Sequence, residues 1–368
     1  DYCQPFNQGF GGSFELATRI AKKTPEGINR IFYTICGSTA VETAIKISIA
    51  YHRAKGDSKR FRFVGRERGY HGMNIGATTV GGMINNVKTF ASVLMPGVQH
   101  MRHTHLPEHK FVKGEPATGV EMAEDLERIA MNFGGENIAA CIIEPIAGST
   151  GTLVPPKGYL KRIREICDKH GILLIFDEVI TGWGRTGSAF AAQEWKVTPD
   201  IMTMAKATTN GVVPMGVVAV KEEIYDSVLD ASSAPEGTPE LFHGYTYSGI
   251  PVAVAAALAV QDIFDKEDIF KRAKEMSPYF QDGLQSLKDL KEVVSIRGYG
   301  MMGGIEMRMK EKPGKAGFQT FKHCYDAGVN FKNTGDNLII APQFICEKKH
   351  IDEILDKLRK GISNYSKS

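Results

Sequence analysis

No cysteine of this chain stands in a CxxC pair. The six cysteines, at positions 3, 36, 141, 167, 324 and 346, lie largely inside apolar stretches. They read as reduced, mostly buried thiols of a cytosolic protein, not as a disulfide framework. Long apolar runs are also missing. The longest, Ile250 to Val260, falls far short of the ~20 residues of a membrane span. Neither sign of charge dominates: 45 Lys+Arg against 42 Asp+Glu leave +3. That balance provides no basic field for nucleic acid and no polybasic membrane anchor. There is no internal repeat and no low-complexity linker. The chain starts at Asp1 without Met or signal peptide, and reads as a fragment or as lacking a head, with a targeting segment left open.

What is present is a globular mixture, 42% hydrophobic and 24% charged, which can bury a large core and excludes disorder as the main state. The 368 residues suit two domains. Strand-like runs alternate with helical patterns. Arg30–Cys36 reads as a strand running into a helix over Ser38–Lys55, where Val41, Ala44, Ile45 and Ile49 recur at helical spacing. Ile138–Ile143, Ile172–Phe176 and Ile201–Ala205 read as further buried strands, and Lys157–His170 as a helix closed by Gly171. Strands this apolar, separated by helices, predict a mainly parallel α/β sheet covered on both faces. After the alanine-rich helix that starts at Pro251, the texture changes. Short strands alternate with helices near Gly317–Ala327 and Lys349–Tyr365, predicting a large α/β domain over 1–275 and a small α+β domain over 276–368.

Two familiar patterns are set aside. Gly-x-Gly-x-x-Gly occurs at Gly182–Gly187 and at Gly298–Gly303. A dinucleotide site needs strand, glycine turn and helix in succession. Neither copy has that context, so both are expected to be glycine turns. His100, His103, His105 and His109 fit no closed metal-ligand spacing, and are expected in a solvated loop; no metal is assigned.

Four other segments carry chemistry together. Cys36-Gly37-Ser38-Thr39 stands where a strand turns into a helix, so free N–H groups and the positive helix end suit a phosphate; the ordinary reading is an N-cap. Asp177 follows the strand-like ILLIF, and Glu144 follows AACII. Acids at the carboxyl ends of buried parallel strands lie where open α/β sheets place ligands; the ordinary reading is a turn or cap. Lys206 follows IMTMA, where partial desolvation lowers an amine's pKa and favours Schiff-base chemistry; the ordinary reading is a surface lysine. Tyr70, beside His71 and between two glycines, suits a ring stacked on a planar ligand, or a core position. A phosphate cup, a stacking aromatic, a carboxylate and a reactive lysine jointly point to pyridoxal 5′-phosphate.

These segments resemble the class III (omega) aminotransferases, fold-type I pyridoxal-phosphate enzymes. The resemblance spans nearly the whole chain and rests on CGSTAVETAIK, RGYHG, IIEPIAGSTGTLVPPKGYL, LLIFDEVITGWGRTG, PDIMTMAKATTNGVVPMG and HGYTYSGIPVA. Within the family, RGYHGMNIGATTVGG, the segment from Asn137 to Cys167, and HGYTYSGIP resemble the omega-amino acid (beta-alanine):pyruvate branch in particular. Two features depart from it. A head segment that the family carries is absent. Where the family holds a substrate-carboxylate arginine in R-x-x-G-D, this chain reads Lys332-Asn-Thr-Gly335-Asp336.

The resemblance implies a fold-type I large domain with a mainly parallel seven-stranded sheet, and a small C-terminal domain. It implies Lys206 as covalent anchor of the cofactor and Asp177 as partner of the pyridine nitrogen. Gly37 and Ser38 would hold the phosphate, with Tyr70 and Val179 on the two ring faces and His71 in the cofactor site. Glu144 would lie near the ring and the substrate. Thr246 would reach the phosphate of a neighbouring subunit, making a homodimer (or a tetramer) with shared sites. The implied activity is ping-pong transfer of an amino group from an omega-amino acid or amine to pyruvate in the cytoplasm, without nucleic-acid or membrane partners. Lys332, in the arginine's place, would bind the substrate acid as a point charge, with looser orientation and tolerance of sulfonates or plain amines, and would pair with Glu144 when no acid group is present. The alternatives are a taurine or diamine:oxo-acid aminotransferase, a glutamate-1-semialdehyde-type aminomutase and, outside enzymes, an inactive dimeric binding protein of the same fold.

Overall fold

Burial sets the strand pattern. In the computed structural model, which describes residues 9–232 and 241–367, β4 (Ile138–Ile143) and β5 (Leu173–Asp177) are buried along their whole length. Neither alternates, because helices cover both faces. Together with β1 (Ile28–Thr34), β2 (Arg62–Arg66), β3 (Val98–Met101), β6 (Ile201–Met204) and β7 (Gly216–Lys221), they form a seven-stranded sheet in the order β1-β7-β6-β5-β4-β2-β3.

Strands β2, β3, β4, β5 and β6 pair in parallel, whereas β7 runs antiparallel to both β6 and β1. The inversion has a local cause. The connection from β6 to β7 is a turn-rich loop with no crossover helix, and without a crossover the next strand must return antiparallel. Since β7 opposes both neighbours, β1, β2, β4, β5 and β6 all point the same way. Their carboxyl ends share one edge, and that edge builds the site.

The helix Gly37–Ala54 buries Val41, Ala44 and Ile45 against one sheet face, and Tyr159–His170 buries Leu160, Ile163 and Ile166 against the other. Full burial of each of the Val, Leu and Ile side chains is worth roughly 1.5–3 kcal/mol. Gly171, at φ 65°, ends the second helix in the left-handed region. A second sheet, antiparallel throughout, contains β8 (Val293–Tyr299), β9 (Met302–Met307), β10 (Lys332–Thr334) and β11 (Asn337–Ile340) in the order β10-β11-β9-β8. It has its own core, running from Ala273 through Phe280, Ile296 and Leu338 to Ile362.

The histidine stretch differs from expectation. His109 is buried, and His100, His103 and His105 are half-buried. His100 Nε2 pairs with Gly81 O at 2.8 Å and His109 Nε2 with Thr118 O at 3.0 Å. The polar sequence gave the appearance of a solvated loop, but backbone carbonyls satisfy these rings inside the fold. Of the cysteines, Cys141, Cys167, Cys324 and Cys346 are buried free thiols and Cys36 is exposed; Cys3 lies outside the described residues. Among the described residues no helix is long and apolar enough to cross a membrane.

Candidate active site

A cavity of about 310 Å³ opens at the shared strand edge. Its walls include Gly37, Ser38, Tyr70, His71, Glu144, Asp177, Val179 and Lys206. They come from five strand exits: Gly37 and Ser38 after β1, Tyr70 and His71 after β2, Glu144 after β4, Asp177 and Val179 at the end of β5, Lys206 after β6.

At the first exit, Thr39 Oγ1 accepts the Cys36 N–H at 2.9 Å, and Ala40 N–H donates to Cys36 O at 2.9 Å. The N–H groups of Gly37 and Ser38 stand at the unpaired start of an 18-residue helix, where an anion is favoured. A Cβ on Gly37 would stand 3.2 Å from both Val179 methyls, and one on Gly72 only 2.4 Å from Ser38 Oγ. Glycine therefore lets three segments close around one cradle.

At the β5 end, Asp177 is buried. Its Oδ1 accepts the Val179 N–H at 3.0 Å, and its Oδ2 lies 2.8 Å from His71 Nδ1. The carboxylate accepts, so Nδ1 donates and Nε2 is bare. Among the described residues that buried Nε2 has no hydrogen-bond partner. Glu144 is also buried, its oxygens accepting the N–H groups of Tyr70 at 2.9 Å and Gly148 at 3.0 Å. Burial pushes its carboxyl above the usual range, and Asp177 pushes the same way against the pull of His71. Behind it, buried Arg66 donates to Glu144 O at 2.7 Å.

Lys206 is solvent-accessible at the cavity, with protein atoms crowded around its amine. That crowding desolvates the amine and lowers its pKa, against the carboxylates of Asp177 and Glu144, while the cation of Lys332 lowers it further. Its backbone sits at φ 46°, a conformation costing about 1–3 kcal/mol in a non-glycine residue. The surrounding turn holds it: Gly211 N–H donates to Lys206 O at 3.1 Å and Thr208 N–H to Ala205 O at 3.0 Å.

Two expected residues do not line this cavity. Lys332, exposed on β10, holds Nζ 5.8 Å from the centroid of the Tyr70 ring. It makes no ion pair with Glu144, whose two oxygens are occupied by backbone N–H groups. Thr246 is exposed, in a segment tied to the helix Gly37–Ala54 through His243 Nε2 and Thr43 Oγ1, 2.8 Å apart. Conversely, Ile180, Thr209 and Met215 line the cavity without having been singled out. Ile180 was legible as the next residue of the Asp-Glu-Val-Ile turn; the others depend on the path of the β6–β7 loop.

The arrangement fits pyridoxal 5′-phosphate on its own terms. A glycine-lined anion cradle at a helix start, an aromatic and an aliphatic wall, a buried carboxylate and an accessible amine of lowered pKa converge on a single cavity. The comparisons with known proteins agree. The family model Aminotransferase class-III matches residues 11–362. An omega-aminotransferase of Caulobacter vibrioides is 48% identical over 362 residues, covering 98% of this chain and 82% of that protein. A beta-alanine–pyruvate aminotransferase of Pseudomonas aeruginosa is 41% identical over 368 residues, covering 100% and 82%. Among solved structures, an omega transaminase from Pseudomonas jessenii in complex with PMP matches with a TM-score of 0.93 at 29% identity, covering 100% of this chain and 82% of that one.

Proposed function

Because the chain belongs to the class-III aminotransferases, pyridoxal-phosphate enzymes, we propose that it moves the amino group of an omega-amino acid of the beta-alanine kind to pyruvate. The observation that carries the reading is the placement of Lys206 and Asp177 on the walls of one cavity, with the anion cradle of Gly37 and Ser38 beside them. When bound, the cofactor supplies an aldehyde that takes up the amino group and a ring that draws electrons from the amine-bearing carbon.

The chain supplies everything else. Gly37 and Ser38 bind the phosphate through their N–H groups and the Ser38 hydroxyl. Asp177, oriented by His71, holds a proton on the ring nitrogen. Tyr70 and Val179 cover the two ring faces and exclude water. Lys206 Nζ is the covalent anchor and, once released, moves the proton from the amine-bearing carbon of the donor. Glu144 borders the substrate space. Lys332, whose Nζ lies 5.8 Å from the centroid of the cavity-lining Tyr70 ring, receives the acid group of the substrate.

Thr246 contributes to the site of a second copy, and the functional unit is a homodimer. Exposed Phe14, Phe242, Tyr247 and Val252 flank that segment, and apolar side chains of this size mark interaction surfaces when they gather. A cytoplasmic location belongs to the same reading, in keeping with the free thiols.

A panel of amine donors offered with pyruvate, following alanine, tests the reading. Alanine formation that requires both donor and pyruvate supports it. Conversion of a donor without any oxo-acid acceptor would replace it by the aminomutase alternative.

A further inference from the structure

The two glycine turns, which the catalytic reading leaves unused, meet each other. The first, Gly182–Gly187, lies in the loop that follows Asp177; the second, Gly298–Gly303, joins β8 to β9. Met301 N–H donates to Arg185 O at 2.9 Å. Arg185 Nη1 donates back to Met301 O at 2.9 Å and to Pro342 O at 2.7 Å. A Cβ on Gly300, at φ 57°, would stand 2.3 Å from Arg185 O, so only glycine permits the contact. Buried Gln281 braces the second turn, donating to Gly300 O at 2.8 Å and Met302 O at 3.1 Å.

Arg185 itself is enclosed, with its guanidinium 4.3 Å from the Phe344 ring centroid. Among the described residues it forms no ion pair; its hydrogen-bond partners are carbonyls. An enclosed cation without a carboxylate is costly, so its carbonyl contacts point to a geometric role. Pro342 lies two residues past the end of β11, and β11 pairs Ile339 with Lys332 of β10. Arg185 therefore grips the segment that leaves β11, the strand paired with the one that carries Lys332.

The same turn faces the reactive lysine on its other side. Trp183, fully buried between Gly182 and Gly184, donates from Nε1 to Thr208 Oγ1 at 3.0 Å. Thr208 Oγ1 in turn donates to Ala205 O at 3.1 Å, next to the left-handed Lys206. A single turn thus touches the loop of the amine and the end of the strand that pairs with the one carrying Lys332.

We propose that Trp183 and Arg185 are paired positioning residues, fixing the separation between the Lys206 loop and the β10–β11 strand pair, so that the site is gauged for substrates with an amine at one end and an acid at the other. The proposal rests on the reading of Lys332 above, and the experiment separates the two.

Holoenzymes of Arg185→Met, Arg185→Lys, Trp183→Phe and Lys332→Ala are compared with wild type. KM and kcat are measured separately for beta-alanine and for an amine without an acid group, with the pH midpoint of the cofactor absorbance. Loss of a remote positioning contact is expected to raise KM for beta-alanine about tenfold in Arg185→Met, within the ~10²-fold that small misplacements cost. The amine without an acid group should stay within about twofold in kcat/KM, as positioning lost at one end predicts. Arg185→Lys, which keeps the charge and a single bond, should show a smaller change of the same selectivity and serves if Arg185→Met does not fold. Trp183→Phe should move the pH midpoint and kcat while leaving both KM values. Equal losses for both donors in the Arg185 variants, or an unmoved midpoint in Trp183→Phe, would overturn the proposal. A Lys332→Ala enzyme whose loss is no greater for beta-alanine than for the amine without an acid group would remove the reading of Lys332, whereas selective loss there with non-selective Arg185 variants would remove the positioning role alone.

Discussion

His71 Nδ1 lies 2.8 Å from Asp177 Oδ2, and both side chains are buried. With Val179 N–H on the other oxygen, this bond leaves Asp177 a single orientation. A group that only orients a functional carboxylate typically contributes 10–100-fold, as outer partners of metal ligands do. His71→Phe is therefore expected to lower kcat by about that factor, to weaken cofactor affinity and to shift the pH dependence of the cofactor absorbance. His71→Asn, whose amide can still donate, should recover part of the loss. A His71→Phe enzyme with unchanged spectrum and kcat would refute the orienting role.

Glu178, adjacent to Asp177 but facing away from the cavity, gives a pH prediction. It is fully buried and accepts from Thr181 Oγ1 at 2.6 Å, Ala192 N–H at 2.8 Å and Ala191 N–H at 2.9 Å. Burial outweighs these donors and pushes the carboxyl up to about 7 from 4.5. The sign follows: with the folded pKa above the unfolded one, the contribution is complete below about 4.5 and is lost as pH rises through about 7. Its size is on the order of 3 kcal/mol. Denaturant unfolding at about pH 5 and about pH 8 should show a smaller pH dependence for Glu178→Gln than for wild type. Equal dependence in the two proteins would contradict it.

The position of Thr246, exposed and outside the cavity of its own chain, is tested by mixing subunits. In the proposed homodimer, Thr246→Glu would place a negative charge against the phosphate of the neighbouring site and should disable both sites of its own dimer. Lys206→Ala should disable its own dimer as well. In a mixed dimer, one site draws Lys206 from one chain and Thr246 from the other, both unaltered. Activity is expected to return on mixing the two inactive variants after dissociation and reassociation. No return would place Thr246 outside the partner's site.

Much of the framework could be read locally. Ile138–Ile143 and Leu173–Phe176 are apolar throughout, and Glu144, Asp177 and Lys206 each stand just beyond such a run, where strand direction alone brings them to one edge. The inverted β7 was not legible, because a turn-rich loop and a crossover differ little in composition here. The histidine stretch misled because its partners, Gly81 O and Thr118 O, are backbone atoms that leave no mark in sequence. The two glycine turns resembled nucleotide motifs, yet their glycines serve the close approach of Gly300 to Arg185 O, a contact between segments over a hundred positions apart. The pairing of His71 with Asp177 is of the same long-range kind.

The most direct test concerns the amine of residue 206. Borohydride reduction of the holoenzyme fixes the cofactor to the nitrogen that carries it, and peptide mass mapping then locates the added mass. The expected result is a single modified peptide, the one containing Lys206, and none in Lys206→Ala. A label on another lysine, or an unlabelled wild-type peptide from protein that retains its cofactor, would contradict the assignment.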